Sequence, residues 1–316
     1  MPPASNPSPP QPAPRTYAAA HFSLELDDNR NVGLFRSIEG GGIKAEVLTY
    51  QHGNGRERWH QLGRPKFEDI KLQVGMSMSE AFYSWISSFI VGEGVRKNGA
   101  IVAADFHFKE RARREFKEGL IRELVFPKLE GQDKSAVYMT VGIAVEEIQF
   151  KPGEGKDIKP GGVGSQKLWT ACNFRFKLDG FENACLRVSK VDSFTLKQEI
   201  AEYHHGGKFR APMKCPTKVE FPQISFYVPE ADADPFIAHF HKRGVKGEVP
   251  GRLTGMIQTF DNDKRDLFTL SFAGADIANV QPDKSDSSSE DIKHVKIDLY
   301  TESMEFKYLL KPGTAG

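Results

Sequence analysis

Only a few histidines, three cysteines and some charge pairs in this sequence are suited to chemistry. His239 and His241 flank Phe240, and an HxH on a strand would aim both imidazoles at one face, as a metal ion requires. Here the pair falls in a stretch that reads as helix, where positions i and i+2 diverge. No Asp, Glu or Cys at ligand spacing completes a set, and His204 and His205 merely precede Gly206 and Gly207. Cys172, Cys185 and Cys215 are odd in number and none has a CxxC spacing, so reduced thiols are expected rather than a disulfide framework. The glycines between 151 and 167 do not spell GxxxxGK[ST], which removes a phosphate loop, and GxSxG and HExxH are absent. Carboxylate pairs Asp27–Asp28 and Glu146–Glu147 fall at strand ends, where solvated charge is the default. The basic run Lys109 to Lys117 alternates with Glu110 and Glu115, whereas a nucleic-acid clamp is one-sided. No catalytic, cofactor or metal set assembles, and a non-enzymatic protein without cofactors is expected.

Composition narrows the class further. A chain of 316 residues, 39% hydrophobic and 27% charged, suits one large or two medium domains. The formal net charge of +1 gives no strong field for nucleic acid or anionic membrane. No apolar run approaches the ~18 residues that span a bilayer. Residues 1–19 are proline-rich, lack the apolar stretch of a signal peptide, and are expected as an extended, mobile arm.

The elements that organise these residues come in two copies. An alternating strand opens each half: Phe22, Leu24 and Leu26, then Phe174, Phe176 and Leu178. YQHG at Tyr50–Gly53 returns as YHHG at Tyr203–Gly206, and FEDIKL at Phe67–Leu72 as FPQISF at Phe221–Phe226. A helix follows in both. In the first, Phe82, Trp85, Ile86, Phe89 and Ile90 form one apolar stripe, with Ser79 as its cap. In the second, Asp234 caps, Pro235 takes the first helical position, and Phe236 and Phe240 occupy the matching apolar places. Phe82, Trp85, Phe89, Phe236 and Phe240 are therefore expected as core anchors, each worth about 1.5–3 kcal/mol when buried. RKNGAIVAADF is answered by GRLTGMIQTFD, and GIAVEEIQF by KIDLYTESMEF. The offset stays near about 154 residues, drifting where surface loops differ.

Two departures from the repeat read as exposed loops: the charged KERARREFKEG of residues 109–119 and the polar QPDKSDSSSED of residues 281–291. Residues 151–168, rich in Gly, Lys and Pro, read as a flexible linker. The expected organisation is an arm (1–19), one domain (20–150), the linker (151–168), a second domain (169–310) and a tail (311–316). Each domain is mainly β (α+β), a barrel or sandwich with one flanking helix.

In order, the first copy carries F-x-L-x-L, then G-x-F (Gly33, Phe35), I-x-G (Ile38, Gly40), E-V-x-x-Y (Glu46, Val47, Tyr50) and LGRPKFEDIKLQVG. The helix with Trp85, RKNGAIV, LVFPKLEG and AVEEIQF complete it. This ordered set resembles the tail tube protein family of contractile phages and related injection particles, over nearly all of residues 22–150. The second copy departs where His239 stands at the tryptophan position and near Pro229. At the level of fold alone the unit is similar to the haemolysin-coregulated tube protein of type VI secretion. The resemblance implies a structural ring-forming protein of a virion tail or injection particle, made in the cytoplasm. Its partners would be copies of itself, stacked tube rings, and sheath or baseplate proteins. Three chains would close a pseudo-hexameric ring, with six chains as the alternative; no membrane is implied, and nucleic acid only as lumen cargo. The alternatives are a baseplate, adaptor or terminator component on the same duplicated unit, and a ligand-binding β domain. Gly53, Arg56, Trp59, Arg64, Arg111 and Arg113 are the candidate contacts, in loops, between subunits or rings.

Overall fold

Alternation of apolar and polar residues becomes alternation of buried and exposed side chains along most strands, and two large sheets and one two-stranded hairpin follow from it. The computed structural model describes residues 19, 21–27, 29–51, 58–76, 78–158, 169–204, 212–248, 252–282 and 292–309. The first half contains β1 (His21–Leu26), β2 (Asn29–Phe35), β3 (Ser37–Gly40), β4 (Ile43–Gln51), β5 (Arg58–Phe67), β6 (Ile70–Val74), α1 (Glu80–Ile90) and β7 (Lys97–Ala104). It closes with β8 (Glu110–Phe126), β9 (Leu129–Glu130), β10 (Met139–Ala144) and β11 (Glu147–Pro152). The second half contains β12 (Phe174–Leu178), α2 (Glu182–Cys185), β13 (Lys190–Val191), β14 (Phe194–Tyr203), β15 (Met213–Glu220), β16 (Ile224–Pro229) and α3 (Asp234–Phe240). It ends in β17 (Leu253–Phe260), β18 (Asp266–Pro282), β19 (His294–Tyr300) and β20 (Ser303–Tyr308).

The two halves share one strand order. The first runs β1-β7-β8-β10-β6-β3 with β11 on β8, and the second β12-β17-β18-β19-β16-β13 with β20 on β18. The fold is mainly β, each sheet curling toward a barrel beside one flanking helix. The correspondence reaches single atoms. The turn before β8 is closed by Asp105, whose Oδ1 accepts the backbone N–H of His107 and Lys109, with Arg111 on Oδ2. Before β18, Asp261 holds Asp263, Arg265 and the Arg265 guanidinium in the same way. Phe108 (φ 59°) and Lys264 (φ 63°) take the same left-handed corner. A glycine in each copy admits a ring: a Cβ on Gly99 would lie 2.6 Å from Phe116 Cζ, and one on Gly255 2.6 Å from Phe272 Cζ.

The Lys109 backbone N–H, with Arg111, holds the Asp105 carboxyl below its ordinary range. A carboxylate with a depressed folded pKa adds stability above its unfolded value, about 3.9, and loses it as pH falls below that. Asp105→Asn should therefore flatten the acid limb of a plot of urea midpoint against pH. An unchanged slope below about pH 4 would show that the turn does not depend on the ionised carboxyl.

Three expectations are corrected. Residues 109–119 are not an exposed loop: Lys109 ends a turn and Glu110–Phe126 form a 17-residue strand, matched by the 17-residue Asp266–Pro282. The charged residues of ERARREFKEG line a polar sheet face, where cross-strand partners satisfy them. Arg113 reaches Glu25 at 2.6 Å and Glu110 at 2.8 Å, Lys117 reaches Glu147 at 3.0 Å, and Lys151 reaches Glu115 at 2.5 Å. Ser79 precedes α1 but makes no side-chain cap bond; its carbonyl instead accepts the N–H of Phe82 and Tyr83. Ala233, not Asp234, caps α3, because the 3-10 turn Glu230–Asp232 feeds straight into the helix.

Within the expected linker, Lys151 and Pro152 belong to β11, and the Ile158 N–H donates to Phe108 O at 2.8 Å. Residues 1–18, 159–168 and 310–316 lie outside the described residues, as do 283–291 of the expected polar loop.

Candidate assembly interface

Strand pairing crosses the division between the halves, and there the fold builds a joint. β8 has β11 and then β10 along one edge; along the other it has β7 and, from Glu123 onward, β14. β14 pairs antiparallel with it as Phe194↔Phe126, Thr195↔Val125, Leu196↔Leu124 and Lys197↔Glu123. β14 and β15 form a hairpin of the second half, so that hairpin extends the sheet of the first. Beside it, Glu130 of β9 pairs with Lys190 of β13, and the Glu130 N–H donates to Ala171 O.

Aromatic rings fill the joint. Phe126 stacks on Phe194 with centroids 5.0 Å apart and approaches Phe268 and Phe306. Tyr83 of α1 stacks on Tyr308 of β20 at 3.9 Å, and Ser87 Oγ donates to Phe306 O at 2.9 Å. The Tyr83 hydroxyl is held inside, donating to Gly75 O and accepting from Met78 N–H. Burial pushes its pKa well above the tyrosine range, and burial pushes Tyr308 up to about 12. Both rings act as uncharged packing surfaces at physiological pH.

A polar clasp borders the rings. Arg96 donates to Lys214 O at 2.6 Å, to Glu118 at 3.1 Å and to Glu146 at 3.2 Å. The Lys214 N–H donates to Glu146 Oε1 at 2.7 Å, tying β15 to the corner between β10 and β11.

The residues singled out from sequence are spread over the fold. Phe82, Trp85, Phe89 and Phe236 are buried; Phe240 is half-buried. Trp85 Nε1 donates to Val95 O at 2.9 Å, and Phe236 stacks on Phe181 at 5.0 Å. Trp59 and Arg64 are exposed on β5, in strand rather than loop, while Gly53 and Arg56 lie outside the described residues. Arg111 and Arg113 also stand in strand, on β8, with partners inside the chain. The hairpin β4–β5 is a sheet of its own, with Val47, Tyr50, Trp59 and Leu62 exposed.

Sequence reasoning missed Tyr83, Arg96, Phe126, Phe194, Lys214, Phe306 and Tyr308 as a group. The available signal was a difference between the copies: Phe194-Thr-Leu196 stands where the first copy has Gly41-Gly-Ile43.

Chemistry is sparse elsewhere. His239 Nε2 lies 3.0 Å from Asp276 Oδ1, and burial, then Arg243 and Lys242, lower its pKa. Burial pushes the Cys185 thiol up to about 12, an inert side chain. Among the described residues no three His, Cys, Asp or Glu side chains gather as a metal site, and no helix is long and apolar enough to cross a membrane.

Residues 18–149 match the family model described as T4-like virus tail tube protein gp19. No curated protein matches the chain. Among solved structures, the chain is similar to one from the sheath–tube complex of an extracellular contractile injection system, PVC, in the extended state. That match has 15% identity and TM-score 0.37, covering 43% of this chain and 92% of that one. A chain from the tube-terminating cap of the anti-feeding prophage matches at 17% identity and TM-score 0.37, covering 47% and 97%. One from the baseplate of the same particle matches at 15% and 0.33, covering 42% and 89%.

Proposed function

We propose that this chain, whose residues 18–149 match the T4-like tail tube family model, is a non-catalytic structural protein of that family. It forms a ring of a phage tail tube or related contractile injection tube from three copies, each contributing two pseudo-equivalent units. The units are residues 20–150 and 169–310, and they sit side by side in the ring. One observation carries this reading: β14 of the second half completes the sheet of the first, edge to edge. Units stacked as separate tiers would not share a sheet in this way. A strand edge is an aggregation hazard unless covered, and a ring-former covers it with its neighbour. The covalent connection keeps one joint permanently at high effective concentration.

The protein is made in the cytoplasm and incorporated into the particle. Exposed Trp59 and Arg64, together with Gly53 and Arg56, provide contacts to neighbouring rings, sheath or baseplate. Native mass spectrometry of purified rings should give three full-length chains; six chains in one ring would overturn the pseudo-sixfold arrangement. Electron microscopy should find stacked tubes. Single capped rings would instead assign the protein to a baseplate or terminator.

A further inference from the structure

Among the described residues, the joint inside the chain has a second set of counterparts that no strand covers. The equivalences follow from shared irregularities. β8 and β18 each carry a bulge against β10 and β19, at Arg122 and Ala278, which aligns Glu123–Phe126 with Asn279–Pro282. β19 covers one edge of Asn279–Pro282; along the other, no strand pairs among the described residues. The hairpins β14–β15 and β4–β5 carry matching bulges at Glu199 and Glu46, which aligns Leu196 and Lys197 with Ile43 and Lys44.

At these equivalent places, apolar side chains buried in the joint are replaced by exposed ones. Leu196 is 0% exposed and Ile43 46%. Phe306 of β20 is 3% exposed and its equivalent on β11, Phe150, 58%. Tyr83 of α1 is 1% exposed and Ile237, in its place on α3, 37%. The polar clasp repeats too: Arg252 and Glu302 pair with each other where Arg96 and Glu146 stand, and His60 occupies the position of Lys214.

These surfaces are divided with one polarity. Edge, helix face and clasp belong to the second half; hairpin and Phe150 belong to the first. We infer that the second half of each copy receives the hairpin of the next copy of this chain in the register of the internal joint. Ile43 then opposes Val280, Lys44 opposes Asn279, Phe150 packs on Ile237, and His60 meets Glu302. The contact is head-to-tail, and such contacts close into rings when the rotation permits. Gly40 and Gly41, at φ +77° and +72°, turn the chain at the base of the hairpin. Together with Gly42 they allow it to swing onto a neighbour, a freedom that Ser193–Thr195 lacks.

This interface rests on the ring reading above but fails separately from it. In a background of Cys172→Ser, Cys185→Ala and Cys215→Ser, the pair Ile43→Cys with Val280→Cys should form disulfides between copies under mild oxidation. Non-reducing gels should show covalent dimers and closed trimers, with at least tenfold less product from Ile43→Cys with Gln281→Cys, whose second thiol faces the opposite side. The single variant Ile43→Asp should lose rings while the melting temperature of the isolated chain is unchanged. Rings that form normally without a 43–280 cross-link, or that survive Ile43→Asp, overturn the interface and leave the ring reading standing. Efficient cross-linking into open chains with no ring in micrographs keeps the interface and overturns the ring.

Discussion

Trp85→Ala should destabilise the protein by about 3–5 kcal/mol, the range for removing a buried tryptophan. The indole is 2% exposed on the inner face of α1, between Phe82 and Phe89 on the same stripe. Its Nε1 also satisfies the Val95 carbonyl at the start of the stretch leading to β7. Truncation therefore opens a cavity and strips a hydrogen bond from a partly buried acceptor at once. Denaturant melts of the purified chain read the effect directly. An unchanged midpoint accompanied by lost assembly would move Trp85 from the core to an interface.

Arg113→Ala should cost a similar amount, about 3–5 kcal/mol, through a different mechanism. Arg113 lies between Glu110, 2% exposed, and Glu25, bonding to both. Those carboxylates hold the guanidinium pKa above its already high value against the opposing effect of burial. Removing the cation leaves a buried carboxylate uncompensated, the costly way to break such a pair. Arg113→Met with Glu110→Leu and Glu25→Gln removes all three charges and should recover most of the loss. If Arg113→Ala leaves the melt unchanged but reduces ring formation, the residue acts between subunits rather than within one.

The sequence carried individual strands of both copies because alternation in F-x-L-x-L, FEDIKL and FPQISF is a local property of each strand. The helices were equally legible, since Phe82, Trp85 and Phe89 repeat at helical spacing. β8 was not, because its polar face bears Arg111, Arg113, Glu115 and Lys117 in place of serine or threonine. Charge density imitates a loop unless the cross-strand partners Glu25, Glu147 and Lys151 are known, and these lie far away in the chain. The joint was hidden for the same reason. Nothing near Phe194 indicates that it meets Phe126, and β14 alone would read as half of an ordinary hairpin. What separates the two hairpins is the base: three glycines at 40–42 in one, Ser193-Phe194-Thr195 in the other.

The length of β8 has a mechanical consequence. At about 3.4 Å per residue, its 17 residues make one strut that β7, β10, β11 and β14 all grip. Force applied along the strut loads the hydrogen bonds to β14 in shear, all together. Force applied across it peels them apart one after another, and only four residue pairs join β14 to β8. Tension across the strut would therefore open the chain sideways at this seam, parting the β14–β15 hairpin from the rest of the sheet it completes.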